Sequence, residues 1–452
     1  MKRDRLVLLI LVFAVVSCGI GIINAAIPNN TLRNNWLVIT GVNVTGSYEM
    51  DGTEIIDADR NGYLANLTLT GPYLNGYNVT TIGEQSLYPQ QDYSYLIWVD
   101  GANYYAKNGT TGNIDYSGIV YADVWQQAHD ALTTGGHILQ KEGLYTLTKT
   151  LNMSNQGIWF SGETMWRGGD GTYSGIKLAN TMDIDMMYIS GRKCEISELF
   201  FDGNRDQQTS GNIIDTINDA ALDLHMAHCY LFYGEETGLS LDGGAGYFDS
   251  VYIEYCLTGA KVSGARNSFD GCGFWGNYGT GVLDDNPDAY SNQYDGCQFN
   301  TNQDGIKFDG GYGKSVTNSY FQGNTRYQIW LYGSSHAKVE GNTIYGTAAG
   351  GPGIYLNTKV AAHSTYNVIN NNNIYNNAGT DPAWCIRLVD ANQDYNVITG
   401  NVVTNFTSAA IVAAGANNLI RNNIGFTGIG DTRWNAGNYE SWNSTHWIII
   451  GP

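Results

Sequence analysis

Carboxylates, long cations and aromatics recur at matching offsets between residues 239 and 388. Asp242, Asp285 and Asp309 share one offset, continued by Tyr332 and Asn357. Lys261, Lys307, Trp330, Tyr355 and Arg387 share the neighbouring one. A polysaccharide site needs this mixture, because aromatic faces stack on sugar rings and acids perform proton transfer. Asp285 and Asp309 are the candidate catalytic pair, on adjacent or alternate repeats as retaining or inverting hydrolysis requires. Lys307 and Arg387 are placed to steady an acidic sugar, and Trp330, Tyr332 and Tyr355 to bind it. The alternative is a merely polar face, or one that meets a neighbouring subunit. A second set, Asp249, Asp270 and Asp295, falls at one offset on three successive repeats, followed by Thr317 and Glu340. Three carboxylates about 4.8 Å apart repel one another unless protonated or bridged by a cation. Calcium is the candidate there; a solvated acidic face with splayed side chains is the alternative.

What would position these residues is a repeat. An apolar anchor is followed three and five residues later by further core-type positions. The anchors are Ile196, Met226, Phe248, Phe269, Tyr294, Val316, Val339, Ile369, Ile398 and Ile420, spaced 21 to 30 residues apart. Such a period marks stacked repeats. A second short apolar run per repeat, such as Ile306 with Phe308 or Ile329 with Leu331, alternates with period two as a half-buried strand does. No copy carries an apolar stripe long enough for a crossover helix. Each repeat is therefore one turn of a coil whose stacked turns make parallel sheets around a continuous core. The anchor+3 column, ending in Asn342, Asn372, Asn401 and Asn423, predicts an interior ladder in which stacked Asn side chains bond one another.

The composition agrees. The chain has 452 residues, 57 Gly, 12% aromatic and only 14% charged residues, as an all-β protein rich in turns does. A net charge of −19 argues against nucleic acid, whose phosphates need a basic surface. Lys2, Arg3 and Arg5 precede an apolar run from Leu6 to Ile23, with Ala25 and Ala26 beyond it. That reads as an export signal over residues 1–26, and the rest of the chain is expected to be extracellular or at the cell surface. Three fates stay open: cleavage, lipidation at Cys18, or retention as a membrane anchor. Sequons at Asn29, Asn43, Asn66, Asn78, Asn108, Asn152, Asn405 and Asn443 offer glycosylation sites. Cys272 and Cys297 share a column on successive turns, either bonded or as stacked free thiols.

Residues 27–115 read as a separate β-rich module, with strands expected over 36–40, 67–69 and 95–99. The segment from Gly46 to Asn61 resembles stalk pieces of phage tail fibres and spikes, which implies an extended stem and a homotrimer. Asp57, Asp59 and Asn61 begin like a calcium loop, but Thr68 stands where the closing acid belongs, so an Asx turn is the better reading.

Ala122 to Leu132 places Val124, Ala128 and Leu132 on one helical face. Gly135-Gly136, a strand, Gly143-Leu-Tyr145 and a Leu-rich strand follow. Together with Ile158-Trp-Phe-Ser-Gly-Glu163, Gly175-Ile-Lys-Leu178 and Phe200-Phe-Asp-Gly-Asn204, they resemble the entry cap and first turns of the pectate-lyase-like right-handed β-helix superfamily. The resemblance covers about residues 116–428. It implies a right-handed coil of three parallel sheets plugged by a helix, with residues 429–452 as a C-terminal cap. It does not imply one activity, since the fold carries lyases, hydrolases, epimerases, phage spikes and adhesins. Pectate lyases hold calcium on a strand column like that of Asp249, Asp270 and Asp295. Polygalacturonase motifs are missing apart from Asp284-Asp285, as is the pectate lyase Arg-x-Pro-x-x-Arg phrase. The seven His are scattered, and none is assigned a catalytic role. The expected function is binding of extracellular or cell-envelope polysaccharide as an adhesin or surface component. The alternative is a lyase or glycoside hydrolase acting on an acidic polysaccharide.

Overall fold

A computed structural model describes residues 92–164, 173–216, 223–285, 290–345, 351–359, 362–375, 384–404, 409–415 and 417–426, with short strands at 31–33, 36–38, 48–50, 53–56, 442–443 and 446–448. The export segment, the expected strand at 67–69 and the Asp57–Thr68 loop lie outside the described residues. The chain divides into two compact units, residues 1–89 and 90–452. The first unit contains two antiparallel pairs, Thr31–Arg33 with Trp36–Val38 and Tyr48–Met50 with Thr53–Ile56.

The second unit is a coil of parallel strands in three sheets, of fifteen, twelve and thirteen strands among the described residues. The anchors lie on the first sheet, where Phe248, Phe269, Tyr294, Val316 and Val339 stack in register. The anchor+5 residues Ile253, Phe274, Phe299 and Phe321 stack on the second. The other apolar run forms the third, where Val282, Ile306, Ile329 and Ile354 stack. All of these are fully or almost fully buried. One residue per turn takes a left-handed backbone between the first and second sheets: Glu198, His228, Ser250, Gly271, Gly296, Asn318, Gly341, Asn371, Gly400 and Asn422, with φ between 51° and 69°. That conformation bends the chain sharply at one residue, which explains the recurrence of Gly and Asn there.

Immediately after this bend comes the anchor+3 ladder. Asn372 Oδ1 accepts the backbone N–H of Asn342 at 3.0 Å and its side-chain amide at 2.9 Å. Asn372 Nδ2 in turn donates to the Val339 carbonyl at 3.0 Å and to Asn401 Oδ1 at 2.9 Å. Two further ladders, Asn277–Asn302–Asn324 and Asn367–Asn396–Asn418, repeat the pattern at other corners. Cys272 and Cys297 are free, buried thiols.

One corner departs from the pattern. Asp284 occupies a core column, opposite Val262 and Phe308. Its carboxylate pairs with Lys314 at 2.6 Å, both side chains fully buried, and accepts hydrogen bonds from Asn292 (3.0 Å) and Tyr294 (3.1 Å). The Asp284-Asp285 pair is thus split by strand alternation. Asp284 is structural, and only Asp285 reaches the outer face.

The helix Tyr121–Asp130 plugs the coil's N-terminal end, two residues shorter at its C-terminus than the sequence pattern suggests. Tyr121, Val124, Trp125 and Ala128 are buried, and Trp125 meets Phe160 edge-on at 5.4 Å. The coil unit begins earlier than expected. Strands Tyr95–Asp100, Asn103–Asn108 and Ile114–Gly118 extend the first sheet, Tyr95–Asp100 pairing with Gly136–Gln140, so the boundary falls at Gln90 and not near residue 116. These strands carry no repeat, and pairing to an existing edge is invisible to a search for periodicity. At the other end His446–Ile448 pairs antiparallel with Ala409–Ala414, covering the third sheet's last edge.

Asn372→Ala leaves donors of Asn342 and the Val339 carbonyl without partners, and should cost on the order of 3 kcal/mol in a urea unfolding titration. Lys314→Met strands a buried carboxylate and should cost about 3–5 kcal/mol, whereas the double replacement Asp284→Leu, Lys314→Met should recover most of that loss. If the double variant is no more stable than the single one, the buried pair is not the source of the effect.

Candidate functional site

The outward positions of the third sheet are held in register by the strands Thr258–Val262, Thr280–Asp284, Asp304–Asp309, Tyr327–Tyr332, Ile354–Asn357 and Trp384–Leu388. Lys261, Leu283, Lys307, Trp330, Tyr355 and Arg387 follow one another in one column. Asp309, Tyr332 and Asn357 form the next. Asp285 sits just past its strand, in line with Asp309, because Asp284 pairs with Phe308.

Lys307 is the centre of this face. Its ammonium lies 2.7 Å from Asp309 Oδ2, 4.4 Å from the Trp330 ring centre and 4.7 Å from that of Tyr332. Ring faces attract a cation, so the two aromatics and the carboxylate hold one charge from three sides. Trp330 is oriented by its Nε1–H, which donates to Asn357 Oδ1 at 2.6 Å. Tyr327 and Tyr355 stack at 4.4 Å and 7°. Arg326, whose Nε donates to Asp304 Oδ1 at 2.8 Å, lies 4.8 Å from the Trp330 ring. Lys359 pairs with the second oxygen of Asp309. Burial pushes the Asp309 carboxyl up, but the hydrogen bonds and charges of Lys307 and Lys359 outweigh it, and the group is held below the usual carboxylate range. It is therefore ionised at neutral pH, able to accept a proton but not to donate one.

Beside Asp309 the chain turns away through Gly310 and Gly311, both left-handed (φ 79° and 74°). A pocket of about 360 Å³ opens there, lined by Tyr312, Ser335, Lys359 and His363 among others. Gly333, at φ +65°, admits the Lys359 stem, which would lie 2.6 Å from an added Cβ.

The expected pair does not share partners. Asp285 accepts from Ser263 Oγ at 2.7 Å and faces Lys261 at 3.5 Å, whereas Asp309 is gripped by Lys307 and Lys359. Arg387 follows Tyr355 in register. Asp249, Asp270 and Asp295 are register neighbours on the first sheet. Their oxygens turn to other groups, however. Asp249 accepts from Ser250 at 2.9 Å, and Asp295 from Thr317 at 2.6 Å and Asn318 at 2.8 Å. Among the described residues no three His, Cys, Asp or Glu side chains are arranged to hold a metal ion. His225 faces outward on its strand, and His228 lies in the following bend at φ 51°.

Sequence reasoning missed Arg326, Tyr327, Lys359 and the pocket. Alternation from Trp330 does not find the first two, because Tyr327 shares the parity of buried Ile329 and Leu331, and Gln328 between Arg326 and Trp330 is itself buried. Lys359 lies 50 residues from Asp309, in a turn without repeat signal.

Lys307→Met removes one of the two cations on Asp309. The carboxyl should then titrate at higher pH, read as a shifted midpoint in a carboxyl-carbon NMR titration. Because the folded value is depressed, the stability Asp309 contributes is present above its unfolded value and lost as pH falls through the folded one. Lys307→Met should reduce that acid-dependent loss.

Residues 232–344 and 258–425 match the family model described as right handed β-helix region. No curated protein sequence matches the chain. Among solved structures, the A-module of the mannuronan C-5 epimerase AlgE4 of Azotobacter vinelandii is similar at TM-score 0.56 and 16% identity, over 66% of this chain and 95% of that one. A tailspike protein mutant of E. coli bacteriophage HK620, in complex with a pentasaccharide, is similar at TM-score 0.50 and 13% identity, over 67% of this chain and 61% of that one. At such identities the likeness concerns the fold. Stacked parallel turns, Asn ladders, the capping helix and these matches agree: the coil is a right-handed parallel β-helix.

Proposed function

We propose that the third sheet's outer face binds an acidic polysaccharide, on an exported protein that serves as an adhesin or surface component. One observation carries this reading: Lys307 sits between Asp309, Trp330 and Tyr332, with Arg326 and Lys359 on either side. In a chain with 23 Lys plus Arg against 42 Asp plus Glu, cations gathered around aromatic rings are out of proportion to the composition. Sugar rings stack on the aromatics, and uronate or other acidic groups meet the cations. The mannuronan epimerase and the pentasaccharide-bound tailspike support a saccharide ligand for this fold. The sheet's parallel turns present regularly repeated side chains along a face suited to a polymer. The tailspike likeness and the stalk-like segment also support a homotrimer and an extracellular location. Among the described residues no helix is long and apolar enough to cross a membrane.

The ionised state of Asp309 favours a second reading, a lyase. An ionised carboxylate can remove the proton beside a uronate carboxyl whose charge Lys307 or Lys359 neutralises; a carbon–carbon double bond forms as the glycosidic C–O bond at the next carbon breaks, and the departing oxygen takes a proton from water. In two-carboxylate hydrolysis the ionised Asp309 would serve as base or nucleophile, and the general acid would have to be Asp285.

Binding to a panel of acidic and neutral polysaccharides, measured by calorimetry, tests the first reading. Acidic polymers should bind, and Trp330→Ala should weaken them at least tenfold, consistent with the loss of a central aromatic contact. Equal binding by the variant, or preference for neutral polymers, counts against the proposal. Ultraviolet absorbance from unsaturated uronate ends, abolished by Asp309→Asn, would replace binding alone by the lyase.

A further inference from the structure

The first sheet presents a different outer face. His137, Trp159, Glu195, His225, Tyr247 and Ser268 follow one another in one column of that sheet. Ser161, Ser197, Ala227, Asp249 and Asp270 form the column beside it. Trp159 is 41% exposed yet held firmly: His137 stacks on it at 3.8 Å and 9°, and its Nε1–H donates to Ser197 Oγ at 2.9 Å. His137 is fixed in turn, with Nδ1 facing the Asp92 carbonyl at 2.6 Å and Nε2 accepting from Ser161 at 2.7 Å. Burial pulls the His137 imidazole below its ordinary range, so it stacks as a neutral ring. Tyr247, 43% exposed, lies three strands further on, about 14 Å away at the usual strand spacing. Between and beside these two rings lie Glu195, Asp249 and Asp270. The Tyr247 phenol is pushed up by desolvation and then by Asp270 and Asp249, which puts both carboxylates within electrostatic reach of the ring.

Cations are sparse here. Glu195 faces His225 at 3.8 Å, and Glu198 in the adjoining bend pairs with His228 at 3.0 Å. Arg192 and Lys193 are exposed in the turn ahead of Glu195, and Lys338 stands four strands beyond Tyr247. The two faces therefore differ in their balance of charge. On the third sheet the aromatics lie among lysines and arginines paired with carboxylates, and on the first sheet they lie beside carboxylates with few cations.

We infer that the first sheet's outer face is a second saccharide site, selective for an oligosaccharide of free-amine hexosamines. Trp159 and Tyr247 offer ring faces at the two ends of such a ligand, and Glu195, Asp249 and Asp270 meet its protonated amines. A ring face beside carboxylates suits an ammonium group, which both attract. An N-acetylated sugar has lost that charge, and an acidic one is repelled.

The rival explanation is attraction of any polycation to a protein of charge −19. Calorimetry on the full chain separates the two, using a glucosamine hexamer, its fully N-acetylated counterpart and polylysine. The glucosamine hexamer should bind at least tenfold more tightly than the acetylated one. Trp159→Ala and Tyr247→Ala should each weaken it at least tenfold while leaving polylysine binding unchanged, since neither alters charge. Asp270→Asn, on an exposed side chain, should weaken it also and guards against misfolding of the Trp159 variant. Binding of acidic polysaccharide, measured on the same variants, should not change, because that face is on another sheet. Equal loss of polylysine and hexamer, equal binding of the acetylated hexamer, or absence of hexamer binding each overturns the inference.

Discussion

Parallel stacking of one turn directly on another is the constraint from which the rest of this structure follows. Neighbouring turns are about 4.8 Å apart, and their residues lie in register. Every side chain therefore meets its counterpart in the next turn. Inside, this makes like follow like: Phe248 stacks on Phe269, Phe269 on Tyr294, Phe274 on Phe299, and Phe299 on Phe321. At the corners it converts a buried Asn, ordinarily a liability, into a ladder where each amide satisfies the next. Where Lys314 stands at a buried corner, the Asp284 carboxylate pairs with it, and Asn292 and Tyr294 donate to that carboxylate.

The same register acts on the outer faces, where chemistry must be arranged without a core to enforce it. A column of identical charges would repel, and the structure avoids that by turning the Asp249 and Asp295 oxygens to hydroxyls and amides on their own or the next turn. Unlike neighbours attract instead. On the third sheet Lys307, Trp330, Tyr332 and Asp309 occupy adjacent positions of two columns and close on one another. The resulting cluster is preorganised by strands, with only Lys359 and the pocket contributed by turns. Three faces on one rod can thus carry different ligand preferences, since each face has its own pair of columns.

Much of this was legible before any coordinates. The anchors, the +3 and +5 positions and the second apolar run are spaced by the coil itself, and they gave the turns, the sheets and the columns of Lys307 and Asp309. Column membership, however, says only which residues are neighbours. It does not say whether neighbouring carboxylates converge or part, and that distinction bears on the calcium candidate. Nor does it register the antiparallel strands from Tyr95 to Gly118, whose pairing depends on an edge and not on a repeat.

By itself, the sequence determined the periodic part of this protein. Apolar period, left-handed Gly and Asn positions and strand alternation are local properties, and stacking propagates them along the axis. Tertiary structure alone decided what depends on side-chain direction and on distant segments. It turned Asp284 inward to Lys314 and set Asp285 outward. It brought Lys359 across 50 residues to Asp309 and opened the pocket beside it. It also paired the third sheet's cations with carboxylates beside the aromatics, while leaving the first sheet's aromatics among carboxylates with few cations. These outcomes are set by the competition of each charged group for partners in three dimensions, a competition that spacing along the chain does not encode.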